Sequence, residues 1–233
     1  MPFDTLQALR RRAPSAKPFL MYGLTEAFRA TFLPPEEVDR RPDSIGKAIP
    51  NAEVLVLRED GSECGPDEPG ELVQRGALVA QGYWNKPDKT AERFKPLPAR
   101  TPGLVLPEMA VFSGDTVRQD EQGFLYFVGR RDEMIKTSGY RVSPTEVEEA
   151  LYRHPAVMAA AVVAQADERW GEVPCAFVEL KPNSTLSAEE ILAHCREHLA
   201  RFKVPKAVVF GEIPKTSTGK LQKFVLRERL KAH

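Results

Sequence analysis

Residues 129–142, GRRDEMIKTSGYRV, constrain the fold more than any other stretch because they separate two halves with different residue patterns. An apolar run at 124–128 ends in the charged cluster Arg130, Arg131, Asp132 and Glu133, and Thr137, Ser138 and Gly139 then form a small flexible loop. On its own such a segment reads as a charged connector between lobes. Before it the chain is rich in turns and short strands, and after it helix-like and strand-like segments alternate.

In the first half, residues 5–12 are helix-like and basic, and an apolar run at 18–21 leads into YGLTEA at 22–27. Residues 34–50 carry too much proline and charge for a buried element and read as a loop. Short alternating strands follow at 54–57 and 71–74, with a turn at Asp60-Gly61. A long loop then holds Gly82, Pro87 and the prolines between 96 and 107, and a second hairpin turns at Gln122-Gly123.

The second half has sharper local signals. Ser143 can accept from the Glu146 amide while that glutamate reaches back, and Pro144 fits the first helical position because it needs no amide there. Val147, Ala150 and Leu151 then share one face. Ser187 and Glu190 repeat the capping pattern for a helix whose Ile191, Leu192, Cys195 and Leu199 share a face, and a last basic helix spans 221–231. With apolar strands at 157–163, 176–180 and 207–210, residues 132–233 read as a small α+β domain of about three strands and three helices.

Composition narrows the function classes. Thirty-three basic and 33 acidic residues cancel, so no whole-chain field draws nucleic acid or an anionic membrane and any anion site must be local. Cys64, Cys175 and Cys195 lack metal-ligand spacing and read as reduced thiols of a cytoplasmic protein. The apolar run at 156–164 is far short of the roughly 20 residues that span a bilayer, so no transmembrane segment is expected.

Three local sets carry chemistry. In IPKTSTGKLQK, Lys215 and Lys220 flank a donor-rich loop that either brings an ammonium to a phosphate or carboxylate oxygen or is simply solvated. It is not a P-loop, since Lys220 is followed by Leu221 rather than a hydroxyl residue. YGLTEA offers an aromatic ring, a glycine, a hydroxyl and a carboxylate, suited to a nucleotide and magnesium or equally to a strand-to-loop turn. Asp115 in SGD either accepts from ribose hydroxyls or stabilises the turn, and local grounds favour the turn.

Taken in series, YGLTEA, SIGKAIPNAE, GELVQRG, GYWNKPDKT, SGD, GRRDEMIKTSGYRVSPTEVEEAL and PKTSTGK resemble, in order and spacing, the adenylate-forming enzymes, especially the AMP-dependent acyl-CoA synthetases. Residues 22–53 also resemble the acyl-CoA ligases associated with the bacterial exosortase system. The resemblance covers the chain from about Leu6 onward and implies mixed α/β and α+β architecture. Residues 1–129 would form the C-terminal part of a large AMP-binding domain, with short strands, hairpins and a β-barrel-like subdomain. Residues 130–136 would be a hinge, and 137–233 a small mobile domain with a roughly three-stranded sheet.

In that family a carboxylic acid, ATP and CoA give acyl-CoA, AMP and pyrophosphate through an acyl-adenylate. By resemblance Tyr22 lies against adenine, Gly23 belongs to the same nucleotide-binding set and permits close approach, Thr25 touches the α-phosphate, Glu26 helps hold Mg2+, and Asp115 takes the ribose hydroxyls with help from Arg130. Lys220 corresponds to the lysine of adenylation, Asp132 to the hinge and Lys136 to a lysine facing the site in the second step. Gly139 matches a glycine beside the pantetheine tunnel, where a side chain would block the thiol arm, and Arg141 is placed to meet CoA phosphates.

The family's upstream phosphate loop is not among these 233 residues, so the chain is expected to be the last part of a longer enzyme and inactive alone. Two other readings stand beside it: a ligase loading a carrier protein, and a non-catalytic nucleotide-binding or interaction module.

Overall fold

The computed structural model describes residues 3–97, 109–217 and 219–231, with the side chains of residues 3 and 4 excluded. Most of the proline-rich loop expected between residues 96 and 107, and Thr218 of the lysine loop, lie outside the described residues. The chain divides into two compact units, Met1–Arg131 and Asp132–His233.

The first unit holds helix α1 (Phe3–Arg12), strands β1 (Leu20–Tyr22), β2 (Thr31–Leu33), β3 (Ser44–Ala48), β4 (Ala52–Leu57) and β5 (Gly70–Gly76), helix α2 (Pro87–Arg93), and strands β6 (Phe94–Pro96), β7 (Met109–Gln119) and β8 (Leu125–Arg130). Seven strands run in the order β1-β2-β3-β8-β7-β5-β4, with β6 added beside β7, and every pairing is antiparallel. The sheet is open, which corrects the barrel-like expectation. Its end strand β1 has three residues, and among the described residues β4 adds on its outer side only a single bridge, Leu57 to Glu63.

Two stretches read as loops contain more structure than their composition suggests. Within 34–50, Val38 is buried beside Leu6, Leu33 and Phe124, and β3 pairs with β8. Arg41 anchors the same stretch by donating to Asp120 Oδ2 (2.5 Å) and the Tyr126 hydroxyl (2.9 Å), with its guanidinium 4.2 Å from the Phe124 ring centroid. In the segment after Gly82, Pro87 occupies the start of α2 rather than a loop, since its fixed φ suits a first helical turn.

The second unit contains β9 (Ile135–Thr137), β10 (Tyr140–Val142), α3 (Pro144–Tyr152), β11 (Val157–Asp167), β12 (Gly171–Leu180), α4 (Ala188–His198), a 3₁₀ turn (Arg201–Lys203), β13 (Ala207–Phe210) and α5 (Lys223–Lys231). Its sheet has five strands rather than about three, ordered β10-β9-β12-β11 with β13 parallel to β12. The two extra strands are the β9–β10 hairpin, attached through Thr137 opposite Gly171.

Side-chain alternation explains why β11 reads as an unbroken apolar run. Ala160 and Val162 face Val147 and Leu151 of α3 and Ile191 and Cys195 of α4, whereas Ala159, Ala161 and Val163 face Leu226 of α5. Both faces are covered, so no polar alternation is needed. Local capping places the helices as their residues predict. Ser187 and Glu190 form a complete capping box on α4, while on α3 Ser143 accepts from the Glu146 amide (3.4 Å) and the Glu146 carboxylate pairs with Lys203 Nζ (2.5 Å).

Candidate functional site

In the first unit the β-ladder gathers three of the predicted residues. Asp115 on β7 lies directly opposite Arg130 on β8, and Tyr22 ends β1. The Tyr22 hydroxyl donates to Asp115 Oδ2, and Arg130 Nη1 stands 3.4 Å from Asp115 Oδ1. Asp115 is 5% exposed, and its amide donates to the Ser113 hydroxyl (3.0 Å). Burial, then the neighbouring Asp115 carboxylate, push the Tyr22 phenol far up, so it stays a neutral donor. A buried carboxylate beside a guanidinium, with a phenol fixing its orientation, is a diol- or cation-accepting arrangement built on rigid strands.

The Tyr22 ring is half-buried and tilted against Phe127, with centroids 6.4 Å apart. Gly23 permits the sharp turn after β1, because a Cβ there would meet the Phe28 carbonyl oxygen at 2.0 Å. Thr25 is exposed on that turn, and Glu26 beside it is half-buried. Glu26 Oε1 accepts from the Tyr83 hydroxyl, and its carbonyl accepts from the Ala80 amide (2.8 Å). Burial and then the bond to Glu26 push Tyr83 up to about 12. Tyr83, in GYWNKPDKT, is 57 residues from Glu26, and that spacing carries no local signal for the pair.

The second unit holds the remaining predicted residues. Lys136 and Arg141 are paired across the β9–β10 hairpin, and both are exposed. Like charges directly opposite repel, so their shared face favours an anion. The turn between them is a two-residue connection, Ser138 (φ 49°) and Gly139 (φ 83°), and is therefore a tight hairpin turn rather than a flexible loop. A Cβ on Gly139 would meet nothing within 4 Å in this chain. What this structure demands of Gly139 is its left-handed backbone; the blocked-tunnel reason does not arise from the chain's own atoms. Asp132 opens the second unit in a turn, directly after the unit boundary.

Lys220 is exposed at the end of a loop that closes on itself. Its amide donates to Thr216 Oγ1 (3.1 Å), the Thr216 amide to the Lys220 carbonyl (2.8 Å), and Lys215 bridges to Leu221. The two lysines of the loop differ: Lys215 Nζ is taken by Glu179 (2.9 Å), whereas Lys220 is exposed on the closed turn. Just beyond, Lys223 Nζ bridges Glu148 (2.8 Å) and Glu133 (3.2 Å), and Arg227 joins Glu133 (3.3 Å). This half-buried network, which the sequence did not reveal, fixes the start of α5 and with it one end of the Lys220 loop.

Both parts of the chain are similar to known proteins. Residues 1–84 match the AMP-binding enzyme family and residues 146–220 the AMP-binding enzyme C-terminal domain. The chain is 36% identical to the mitochondrial medium-chain acyl-CoA ligase ACSF2 of Mus musculus over 236 residues, covering 100% of this chain and 37% of that one. It is 39% identical to a long-chain-fatty-acid–CoA ligase of Bacillus subtilis over 211 residues, covering 90% of this chain and 35% of that one. Among solved structures, o-succinylbenzoate CoA synthetase of Bacillus subtilis, in complex with its acyl-adenylate, superposes with a TM-score of 0.83 at 31% identity, over 97% of this chain and 44% of that one. ATP-bound MatB of Rhodopseudomonas palustris gives 0.84 at 30%, over 98% and 43%. The chain thus spans little more than a third of the length of the curated relatives it matches. With both family models matched in order and the mixed α/β fold of these neighbours reproduced, the chain belongs to the adenylate-forming AMP-binding enzymes.

Proposed function

We propose that this chain forms the C-terminal portion of an AMP-forming acyl-CoA ligase, which activates a fatty or other hydrophobic carboxylic acid with ATP and passes the acyl group to CoA. The observation that carries the reading is the cross-strand pair Asp115–Arg130 with Tyr22 bound to the same carboxylate. A carboxylate accepts two vicinal hydroxyls, so Asp115 would hold the ribose with Arg130 beside it, while Tyr22 and Gly23 line the adenine and Thr25 meets the α-phosphate. Glu26 suits magnesium. One oxygen is held by Tyr83 and the other has no described partner, and a lone carboxylate completed by phosphate oxygens is a donor set magnesium accepts. Bound there, the ion would neutralise phosphate charge.

Attack of the substrate carboxylate on the α-phosphorus gathers negative charge, which the ammonium of Lys220, an exposed residue on its closed loop, would meet. Lys136 and Arg141 would serve the thiol step from the β9–β10 hairpin, with Gly139 between them, and Asp132 would be the pivot. Three unpaired thiols support a reducing, cytoplasmic setting, and among the described residues no helix is long and apolar enough to cross a membrane.

The test compares ATP with its 2′,3′-dideoxy analogue. The wild-type chain should prefer ATP, and Asp115→Ala should erase that preference, a change of about 10- to 100-fold for charge-assisted hydrogen bonds. An unchanged preference in the variant would remove Asp115 from the ribose. In an active ligase containing this chain, thioester formed only with a holo carrier protein, and not with CoA, would transfer the acceptor role to the carrier.

A further inference from the structure

Apart from the residues assigned above, the last turn of α4 brings together His194, Glu197 and His198. Their spacing, i, i+3 and i+4, puts all three on one side of the helix. One donor atom from each lies within 4.8 Å of the others, and the two imidazole centroids are 4.3 Å apart.

The hydrogen bonds of the two rings give a second observation. His194 Nε2 lies 2.9 Å from the Ala150 carbonyl, and His198 Nδ1 lies 2.8 Å from the His194 carbonyl. A carbonyl only accepts, so each of these nitrogens carries the proton, and in the neutral ring the opposite nitrogen holds the lone pair. Anchoring one ring N–H on a backbone carbonyl is how metal-bound histidines are oriented and held in one tautomer. Ordinary helix-end packing would account for each anchor taken singly. It does not call for two oriented imidazoles and a carboxylate on the same turn.

The surroundings agree. Arg196, within the same turn, is drawn away by Glu189 (2.7 Å), so its charge does not compete for the Glu197 carboxylate. His154 packs edge-on to His194 at 5.0 Å, and its Nδ1 accepts from the Ala156 amide (3.2 Å), which makes it a wall of the cluster rather than a ligand. We propose that His194, Glu197 and His198 form a surface site for one divalent transition-metal ion, with the remaining coordination positions left to water. Two imidazoles and one carboxylate are borderline donors that select zinc, nickel or copper over calcium or magnesium. Glu26 and the nucleotide residues have no part in this site.

The test is calorimetric titration of the untagged, chelator-treated protein with zinc chloride and, separately, nickel chloride. One ion per chain should bind, and each metal should raise the thermal midpoint. Removing a ligand in His194→Ala, or in His198→Ala, should weaken binding by at least about tenfold, and Glu197→Gln by about tenfold. His198 is exposed, so its variant keeps the fold even where replacing the half-buried His194 does not. Magnesium chloride should give no comparable signal. Absence of saturable one-site binding by the wild type, or binding retained at wild-type strength in His198→Ala, would overturn the site.

Discussion

Asp115 and Asp120 lie on or just past the same strand, five residues apart, and their surroundings give them opposite tasks. Asp115 is held inside the sheet facing Tyr22 and Arg130, whereas Asp120 closes the β7–β8 turn and ties it to Arg41. Burial alone would raise the Asp120 carboxyl. Bonds from the Phe124 amide and Tyr126 hydroxyl, with the Arg41 guanidinium beside it, outweigh that and hold it below its ordinary 3.8. The unfolded chain therefore takes up this proton first as pH falls. Stability from Asp120 is present above about pH 4 and lost as pH drops through the lower folded value. Asp120→Asn should reduce the urea midpoint at pH 7 and lose much less than the wild type between pH 5 and about pH 3. Equal acid sensitivity in both proteins would show that other carboxylates carry the dependence.

At the level of elements, α5 depends on a charge buried at its first turn. Lys223 and Glu148 have side chains 15% and 13% exposed, and burial raises the Glu148 carboxyl against the pull of Lys223. Replacing Lys223 by alanine would strand that carboxylate at a cost of about 3 kcal/mol. The sign with pH follows from the raised value: the folded protein binds the proton more readily, so the deficit is full above the folded Glu148 range and shrinks as pH falls through it. Lys223→Ala should therefore recover relative stability on mild acidification, and Lys223→Ala/Glu148→Gln should be little affected by it. In the β9–β10 hairpin, Gly139→Ala should cost about 1 kcal/mol through its φ of 83°, measurable as a lower midpoint of thermal unfolding. These elements differ in how far they could be read from residues alone. The Ser187–Glu190 cap and the bond from the Glu146 amide to Ser143 were legible because their partners lie within four residues, whereas the Glu146 carboxylate, expected to reach back to Ser143, pairs with the distant Lys203. Val38, Arg41 and Lys223 were not, because each is defined by partners tens of residues away, and proline-rich, charged composition at 34–50 masked a buried anchor. The candidate site divides the same way. Tyr22, Asp115 and Arg130 were each identified by motif, but that Asp115 faces Arg130 is a matter of strand register, which no local pattern specifies.

For the whole molecule, the boundary between compact units falls between Arg131 and Asp132. On its N-terminal side Arg131 is fastened into the first unit, pairing with Glu59 (3.0 Å) and Glu71 (3.1 Å) and donating its amide to the Gly114 carbonyl (2.8 Å). On its C-terminal side Glu133 is fastened into the second unit by Lys223 and Arg227. Asp132 lies between these two residues. We propose it as the pivot: a swing of one unit about the other would pass through few backbone dihedrals, those at Asp132 among them. Proline there fixes φ near −65° and removes an amide donor, so it would accept one arrangement of the units and penalise the other. In an active ligase containing this chain, Asp132→Pro should slow either adenylation, read as pyrophosphate release, or thioester formation from preformed acyl-adenylate, by at least about tenfold more than the companion step. Asp132→Ala, which leaves both dihedrals free, should slow neither by a comparable factor. Equal loss of both steps in Asp132→Pro would mean that the substitution damages the fold, and the pivot would then have to lie elsewhere between residues 130 and 136.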